Sequence, residues 1–475
     1  MALTCGFSLR EEACSYHAPM SGIAAGGIDR QKLREIKARE DAVFVAARPR
    51  SAELWTRAKD SMPNGVPMSW MRNSYDHPPM FVSEGSGAHF RDADGHDYAD
   101  FNIADMSMFC GYAPAPVVEA VARRAGQGTQ FMLPNEDGLW VAEELGRRYG
   151  LPKWQFTLSA TAANTEAIRT ARALTGREHV LFFDGKYHGH FDDVLVEPGP
   201  DGALVPEEAG LPRTVTERTK IVPFNDPPAL RAALEPRDVA IVITEPAPTN
   251  NVGLLMPLRD FHAQLRSITR ETGTLLAYDE THTQVVGPGG LTEMWGLDPD
   301  LVTIGKSIAS GVPLGAYGMT DDVASVLQRP DGRADEADLV ATGGTLFGNP
   351  LSMAAARATM GEVLTDEAYA HTHALGARLA DGIEKSIGEA GLPWTTHRFW
   401  PRSGVTYGPR MPRDASEAST TKDVELILTA RVYLANRGVW EAIVGAGPTC
   451  SIPSAEQDVD RYVDAYESLL RELTA

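Results

Sequence analysis

Between residues 112 and 320, short apolar runs alternate with helical patterns, and the runs carry no polar alternation. They read "FTLSA", "HVLFF", "KIVPF", "VAIVITE", "TLLAYDE" and "LVTIG". A strand that is polar at every second position leaves one face wet; these runs leave neither. The helical stretches among them include 136–149, 164–175 and 258–272. Strands buried on both faces and separated by helices specify an α/β fold, with a mostly parallel sheet covered on each side. Ligand sites in such sheets form beyond the C-terminal strand ends, so unusual residues at those ends are the functional candidates.

The flanks read differently. Residues 28–60 are rich in Arg, Lys, Glu and Ala and predict one or two amphipathic helices, ended by "MPNGVP" at 62–67. "MFVSEGSGAHFRDADGHDYADF" alternates and turns at Gly85–Ser86–Gly87 and Asp94–Gly95, the pattern of a β-meander. Its "DADG" has the look of a calcium loop, but Ile103 stands where the bidentate glutamate is required. Helix-rich sequence resumes after 349: "TKDVELILTARVYLANRG" runs to a helix stop at Gly438, and "EQDVDRYVDAYESLLRELTA" is amphipathic. A smaller C-terminal α+β domain is expected.

A net charge of −20 argues against nucleic acid or an anionic membrane as partner. Cys5, Cys14, Cys110 and Cys450 form no CxxC pair, which predicts neither a disulfide framework nor a zinc site and fits a reduced, cytoplasmic protein. No run of about 18 apolar residues predicts a transmembrane helix. The first 27 residues lack a basic start followed by an apolar core and read as a loose extension rather than a signal peptide.

Four strand-end features bear chemistry. "LVTIGKSIASGVPLGAYG" places one lysine, Lys306, after an apolar strand and among small residues. "LLAYDETHT" places Asp279 at the end of another, where a carboxylate is costly without a cation or several donors. The two residues either form a buried ion pair or serve a ligand. "FTLSATAANTEAIRTARALTG" sets Ser159, Ala160 and Thr161 at a helix N-terminus; this is an anion site or a simple N-cap. "DGKYHGHFDD" puts Tyr187, His188 and His190 beyond a strand; they stack on a flat ligand or sit on a surface loop, and no third metal ligand is evident at helical spacing. Pyridoxal phosphate uses all four: an amine for its aldehyde, a carboxylate for its pyridine nitrogen, an anion site and an aromatic over the ring.

With these motifs the sequence resembles the class III pyridoxal-phosphate aminotransferases of fold type I, over roughly residues 50–475. It is similar in particular to glutamate-1-semialdehyde aminomutase and β-amino-acid aminotransferases. The resemblance implies a large domain with a mostly parallel seven-stranded sheet plus a smaller α+β domain. The expected divisions are an extension at 1–45, a helix-and-meander segment at 46–110, a cofactor domain at 111–345 and a small domain at 346–475. "TIGKSIASGVPLGA" makes Lys306 the residue bonded to the cofactor pyridoxal 5′-phosphate, and "YDE" makes Asp279 the pyridine partner. "LSATAAN" assigns Ser159, Ala160 and Thr161 to the phosphate, with Asn164 close by. "YHGH" gives the stacking Tyr187 and its neighbour His188, and "ITEP" puts Glu245 near the cofactor's hydroxyl side. "GGTLFGNPLSMAA" matches the segment that reaches the other subunit's phosphate through Gly344 and Thr345, which implies a homodimer with active sites at the subunit interface. Four positions depart from the family: Ala160, Ala162, Thr281 and His282. An alanine still offers its N–H if its φ is negative. Thr281 and His282 either tune the cofactor or are an isosteric Thr and a packed His.

The resemblance implies ping-pong transfer of an amino group from an amino acid or amine to a keto acid or aldehyde, both small molecules. Arg72 lies near the position of the family's carboxylate-binding arginine; Trp70, Arg402 and Arg410 are further substrate candidates, or surface and packing residues. An aminomutase, a racemase or a lyase shares the lysine and the aspartate. A catalytically idle dimeric binding protein on the same fold is the reading from another class.

Overall fold

The computed structural model describes residues 25–73, 75–328, 340–442 and 447–475; residues 1–24 of the expected extension lie outside it. The central sheet has seven strands. Across it they run Lys153–Thr157, Gly315–Met319, Leu301–Ile304, Leu275–Asp279, Val239–Thr244, His179–Phe183 and Thr219–Val222. Gly315–Met319 is antiparallel to both neighbours; the other pairs are parallel. Every residue of Val239–Thr244, Leu301–Ile304 and Gly315–Met319 is buried, which is why these segments show no polar alternation.

Gly315–Met319 is the strand that the apolar runs did not reveal. "GAYGM" reads as a loop, yet its glycines are there for close approach. A Cβ on Gly315 would lie 2.2 Å from Ser159 O, and one on Gly318 would lie 2.4 Å from the Trp154 ring. Three helix boundaries also differ. The helix predicted from 164 begins at Ala160, because Ser159 Oγ caps it by accepting from Ala162 N at 3.2 Å. The one predicted from 258 begins at Phe261, after Asp260 with φ 64°. The one predicted to run to Gly438 ends at Ala435.

The topology sets the site. The chain leaves the edge strand Lys153–Thr157, enters the helix Ala160–Thr175, and returns as His179–Phe183 with four strands between them. That helix packs under the sheet, so its N-terminus meets the C-terminal ends of the middle strands. A second core lies apart from the sheet. Leu375, Leu379 and Ile383 of helix Asp366–Glu389 pack there with Tyr462, Tyr466 and Leu469 of helix Glu456–Thr474. Leu33 and Ile36 of helix Arg30–Ala46 join the same cluster beside Tyr433 and Leu434. The meander (Val82–Ser86, His89–Asp92, Asp97–Asp100) gains a fourth strand, Val439–Trp440, which ties it to the C-terminal part of the chain.

Gly315→Ala forces a methyl into Ser159 O, where strand and helix backbone meet. It is expected to destabilise the fold by about 1–3 kcal/mol. A thermal midpoint equal to that of the wild type would contradict this packing.

Candidate active site

A cavity of about 260 Å³ opens at the C-terminal edge of the sheet. Ser159, Ala160, Thr161, Tyr187, His188, Glu245, Asp279, Thr281, His282 and Lys306 all line it. Strand Leu301–Ile304 delivers the lysine through Gly305, whose Cβ would approach Ala160 N to 3.0 Å. Lys306 itself has φ 53°, in the left-handed region that non-glycine residues seldom adopt. The strand end is thus turned sharply away from the helix and the amine is aimed into the cavity.

Lys306 and Asp279 do not pair with each other. Lys306 Nζ pairs with Asp105, a residue that no motif singles out. Asp279 has its own donors: His188 Nδ1 at 2.8 Å and Asn164 Nδ2 at 2.9 Å on Oδ2, and Thr281 N at 3.0 Å on Oδ1. Asn164 is fixed in turn by Thr303 Oγ1, which donates to its side-chain oxygen at 2.6 Å. Asn164 Nδ2 also donates to His188 O at 2.8 Å, and the His188 ring stacks on Phe182 with centroids 5.6 Å apart. Burial alone would raise the Asp279 pKa; His188, Thr281 and Asn164 reverse this and hold it at about 2. A fully buried carboxylate is therefore ionised at neutral pH.

The helix N-terminus completes the floor. Ser159 is the N-cap, so its hydroxyl is already engaged, while Ala160 and Thr161 occupy the first helical turn, where amides lack an earlier carbonyl partner. Ala160 has an ordinary helical backbone, so its methyl does not prevent its N–H from serving an anion. Gly189, at φ 108°, lets the "YHGH" segment lie against this turn; a Cβ there would meet Thr161 Oγ1 at 2.3 Å. Gln284 Nε2, also unsignalled, donates to Thr281 O at 2.9 Å and Gly305 O at 2.8 Å, tying the two functional strand ends together.

Other candidates fall elsewhere. Arg72 Nη1 donates to Tyr75 O at 2.6 Å and its guanidinium lies over Trp55; neither it nor Trp70 lines the cavity. Arg402 is buried beside the site, with Nε donating to Gly447 O at 3.3 Å, and is within Coulomb reach of Asp105 and Glu245. Arg410 pairs with Glu417. Gly344 and Thr345 are exposed and apart from the cavity of their own chain. His282 is not packed among apolar groups: Asn250 Nδ2 is 3.2 Å from its Nε2 and Thr249 Oγ1 is 3.4 Å from its Nδ1.

The sequence pattern of the family described as aminotransferase class-III matches residues 70–390. The chain belongs to the class III aminotransferase family. A glutamate-1-semialdehyde 2,1-aminomutase from Akkermansia muciniphila is 36% identical over 439 residues, 89% of this chain and 99% of that protein. A glutamate-1-semialdehyde aminomutase structure from Pseudomonas aeruginosa PAO1 superposes with a TM-score of 0.89 at 37% identity, covering 94% of this chain and all of that one. An omega-transaminase from Sphaerobacter thermophilus does so with 0.82 at 30% identity, covering 90% and 98%. The seven-stranded sheet is that of fold type I.

Two further titratable groups of this class III site, Glu245 and His282, are displaced from their ordinary ranges. Burial raises Glu245 to about 8 against two bonds from Thr249, so it carries a proton at neutral pH. Burial, then the Lys306 charge, lowers His282 from 6.5 to about 4. His77 and His262 are lowered to about 4 as well, chiefly by burial. The unfolded chain takes up these protons below 6.5, whereas the folded chain refuses them until about 4. Stability therefore falls as pH drops through that window, by about 1.4 kcal/mol per pH unit for each histidine at most. His282→Asn is expected to flatten the decline of the melting temperature between pH 6.5 and 4; an unchanged slope would show that the imidazole is not held neutral.

Proposed function

We propose that this chain is a pyridoxal 5′-phosphate-dependent transaminase, moving an amino group from an amino acid or amine to a keto acid or aldehyde. One observation carries the reading: Lys306 and Asp279, from adjacent strands, enter the same cavity as the N-terminus of helix Ala160–Thr175. The residues present fit the cofactor. Thr281 Oγ1 is buried with no hydrogen-bond partner beside Asp279, and Gly305 and Gly189 leave the helix N-terminus open to an anion. In this reading Ser159, Ala160 and Thr161 hold the phosphate, Asp279 the pyridine nitrogen, Tyr187 the ring face and Lys306 the aldehyde. Two similar structures bear on it: a transaminase was solved with PLP bound, and a lysine-to-alanine variant of the Pseudomonas protein with PMP.

When bound, the cofactor supplies an aldehyde that captures the donor amine and a ring that takes up the electron pair of a broken C–H bond. The chain does the rest. Asp279, ionised and buried, would hold the pyridine nitrogen and keep a proton on it. The amine of Lys306 is placed to act as base and acid: it would take the proton from the donor carbon and deliver it to the cofactor's former aldehyde carbon, across the shared nitrogen. Glu245, protonated, offers a further hydrogen-bond donor from the lining of the cavity. Residues 111–345 form the cofactor domain and 346–475 the smaller one.

The proposal includes a homodimer in the cytoplasm. Phe131, Met132, Leu133 and Leu346 are half to three-quarters exposed, and Gln130 Nε2 bonds Thr345 O, so these two loops make one apolar face next to Gly344. Met132→Asp combined with Leu133→Asp is expected to shift sedimentation from dimer to monomer and to lower activity about 10²-fold; a fully active wild-type monomer would refute the shared site. No helix among the described residues is long and apolar enough to cross a membrane.

A second reading, an aminomutase, is favoured by what the relatives are called. A half-reaction screen separates the two. With α-, β- and ω-amino acids and plain amines offered singly, a transaminase releases a carbonyl product and keeps the amino group on the cofactor, whereas a mutase returns an isomer. Lys306→Ala is expected to reduce turnover roughly 10²–10⁴-fold. It should also lose the borohydride-fixed cofactor from the peptide spanning residue 306. Retention of that adduct, or no response to any donor, would sink the reading.

A further inference from the structure

Ile103, Ala104, Asp105 and Met106 have φ of 43°, 44°, 53° and 71°, four successive non-glycine residues in the left-handed region. Such a run is costly and persists only where its surroundings impose it. Here Asp100 accepts from Asn102 N and Ile103 N, both at 2.9 Å, and Ile103, Met106 and Phe109 are locked into the main core. What the strained turn achieves is to put the Asp105 carboxylate against Lys306 Nζ, with His282 Nε2 at 3.6 Å. Asp105 Oδ1 is buried with no hydrogen-bond partner.

We propose that Asp105 is a cation-binding subsite on the substrate side of Lys306, selecting donors that carry a second cationic nitrogen, the diamine class. The proposal rests on the transaminase reading in one respect. Condensation of the Lys306 ammonium with an aldehyde forms a C=N bond and releases water and a proton, which removes the full charge now facing Asp105. Asp105 is partly exposed, but its Oδ1 is buried, and leaving that oxygen without a counter-ion is costly, so an incoming ammonium restores the pairing. His282, held by Asn250 and Thr249, is neutral and does not replace it. Arg402 attracts Asp105 from further off while engaged at Gly447 O. A substrate carboxylate brought to the same place meets like charge, and Arg72, the expected carboxylate holder, is outside the cavity.

The test uses the holoenzyme and Asp105→Asn, because asparagine tolerates the left-handed backbone. Tertiary amines cannot condense with an aldehyde, so they read the subsite without the reaction. Calorimetry with N,N,N′,N′-tetramethyl-1,4-diaminobutane and with N,N-dimethylbutylamine is expected to show the dication bound about tenfold tighter or more by the wild type. Asp105→Asn should abolish that preference. In the half-reaction, the kcat/KM ratio of 1,4-diaminobutane to butylamine should fall by a similar factor, mainly through KM. Asp105→Glu, with the carboxylate one methylene further in, should move the preference toward 1,3-diaminopropane. An equal dication preference in wild type and Asp105→Asn overturns the subsite. Should no amine convert the cofactor, the transaminase reading fails, and the calorimetric ratio still decides for or against Asp105.

Discussion

An ionised carboxylate in a dry interior organises this molecule's active end. Asp279 is fully buried, and three donors from three segments hold it charged: His188, Asn164 and the Thr281 backbone. Removing any of them leaves the charge under-compensated, a larger cost than the bond is worth by itself. The arrangement therefore constrains everything that supplies a donor. Helix Ala160–Thr175 must bring Asn164 beneath the strand end, and the segment after His179–Phe183 must curl back to present His188. Thr303 on the next strand must fix the Asn164 amide in the orientation that donates rather than accepts.

The sheet order makes this possible. Because the chain crosses four strands between Lys153–Thr157 and His179–Phe183, one helix runs beneath strands that come much later in sequence. Its N-terminus and the ends of strands at 279 and 304 then converge without any long loop. Two glycines mark the convergence: Gly305 against Ala160 and Gly315 against Ser159. Both are positions where any side chain would push strand and helix apart. The end of the cavity at this helix turn is thus built mostly of backbone.

Legibility in the sequence followed physical range. Apolar runs without polar alternation announced six of the seven strands, and strand-end placement singled out Lys306, Asp279, Ser159 and Tyr187, all of which meet at one cavity. Gly315–Met319 escaped because its signal is the absence of side chains, and a glycine's reason lies in a neighbour far along the chain. Asp105 and Gln284 escaped for a related cause. Neither sits on a periodic pattern; each matters through contacts 201 and 21 residues away. Arg72 was plausible by position along the chain, but its guanidinium is taken by a local carbonyl and the Trp55 ring, which sequence spacing does not report.

Thr281, His282 and Asp105 share a further property that ties the departures together. Each adds polarity on the wall around Lys306, and two of them are continuous with Glu245: Thr249 joins Glu245 to His282, and His282 lies between Thr249 and Asp105. A buried polar chain of this kind is stable only when nearly every member is satisfied. Here two atoms stand out, Thr281 Oγ1 and Asp105 Oδ1, both buried and without a hydrogen bond; Thr281 lines the cavity and Asp105 pairs with Lys306, which lines it too. Unsatisfied groups on such a wall mark where ligand atoms complete it. Thr281 stands beside Asp279 and Asp105 beside Lys306, so the wall offers an unmet polar contact near each of these two charged residues rather than a purely apolar filling.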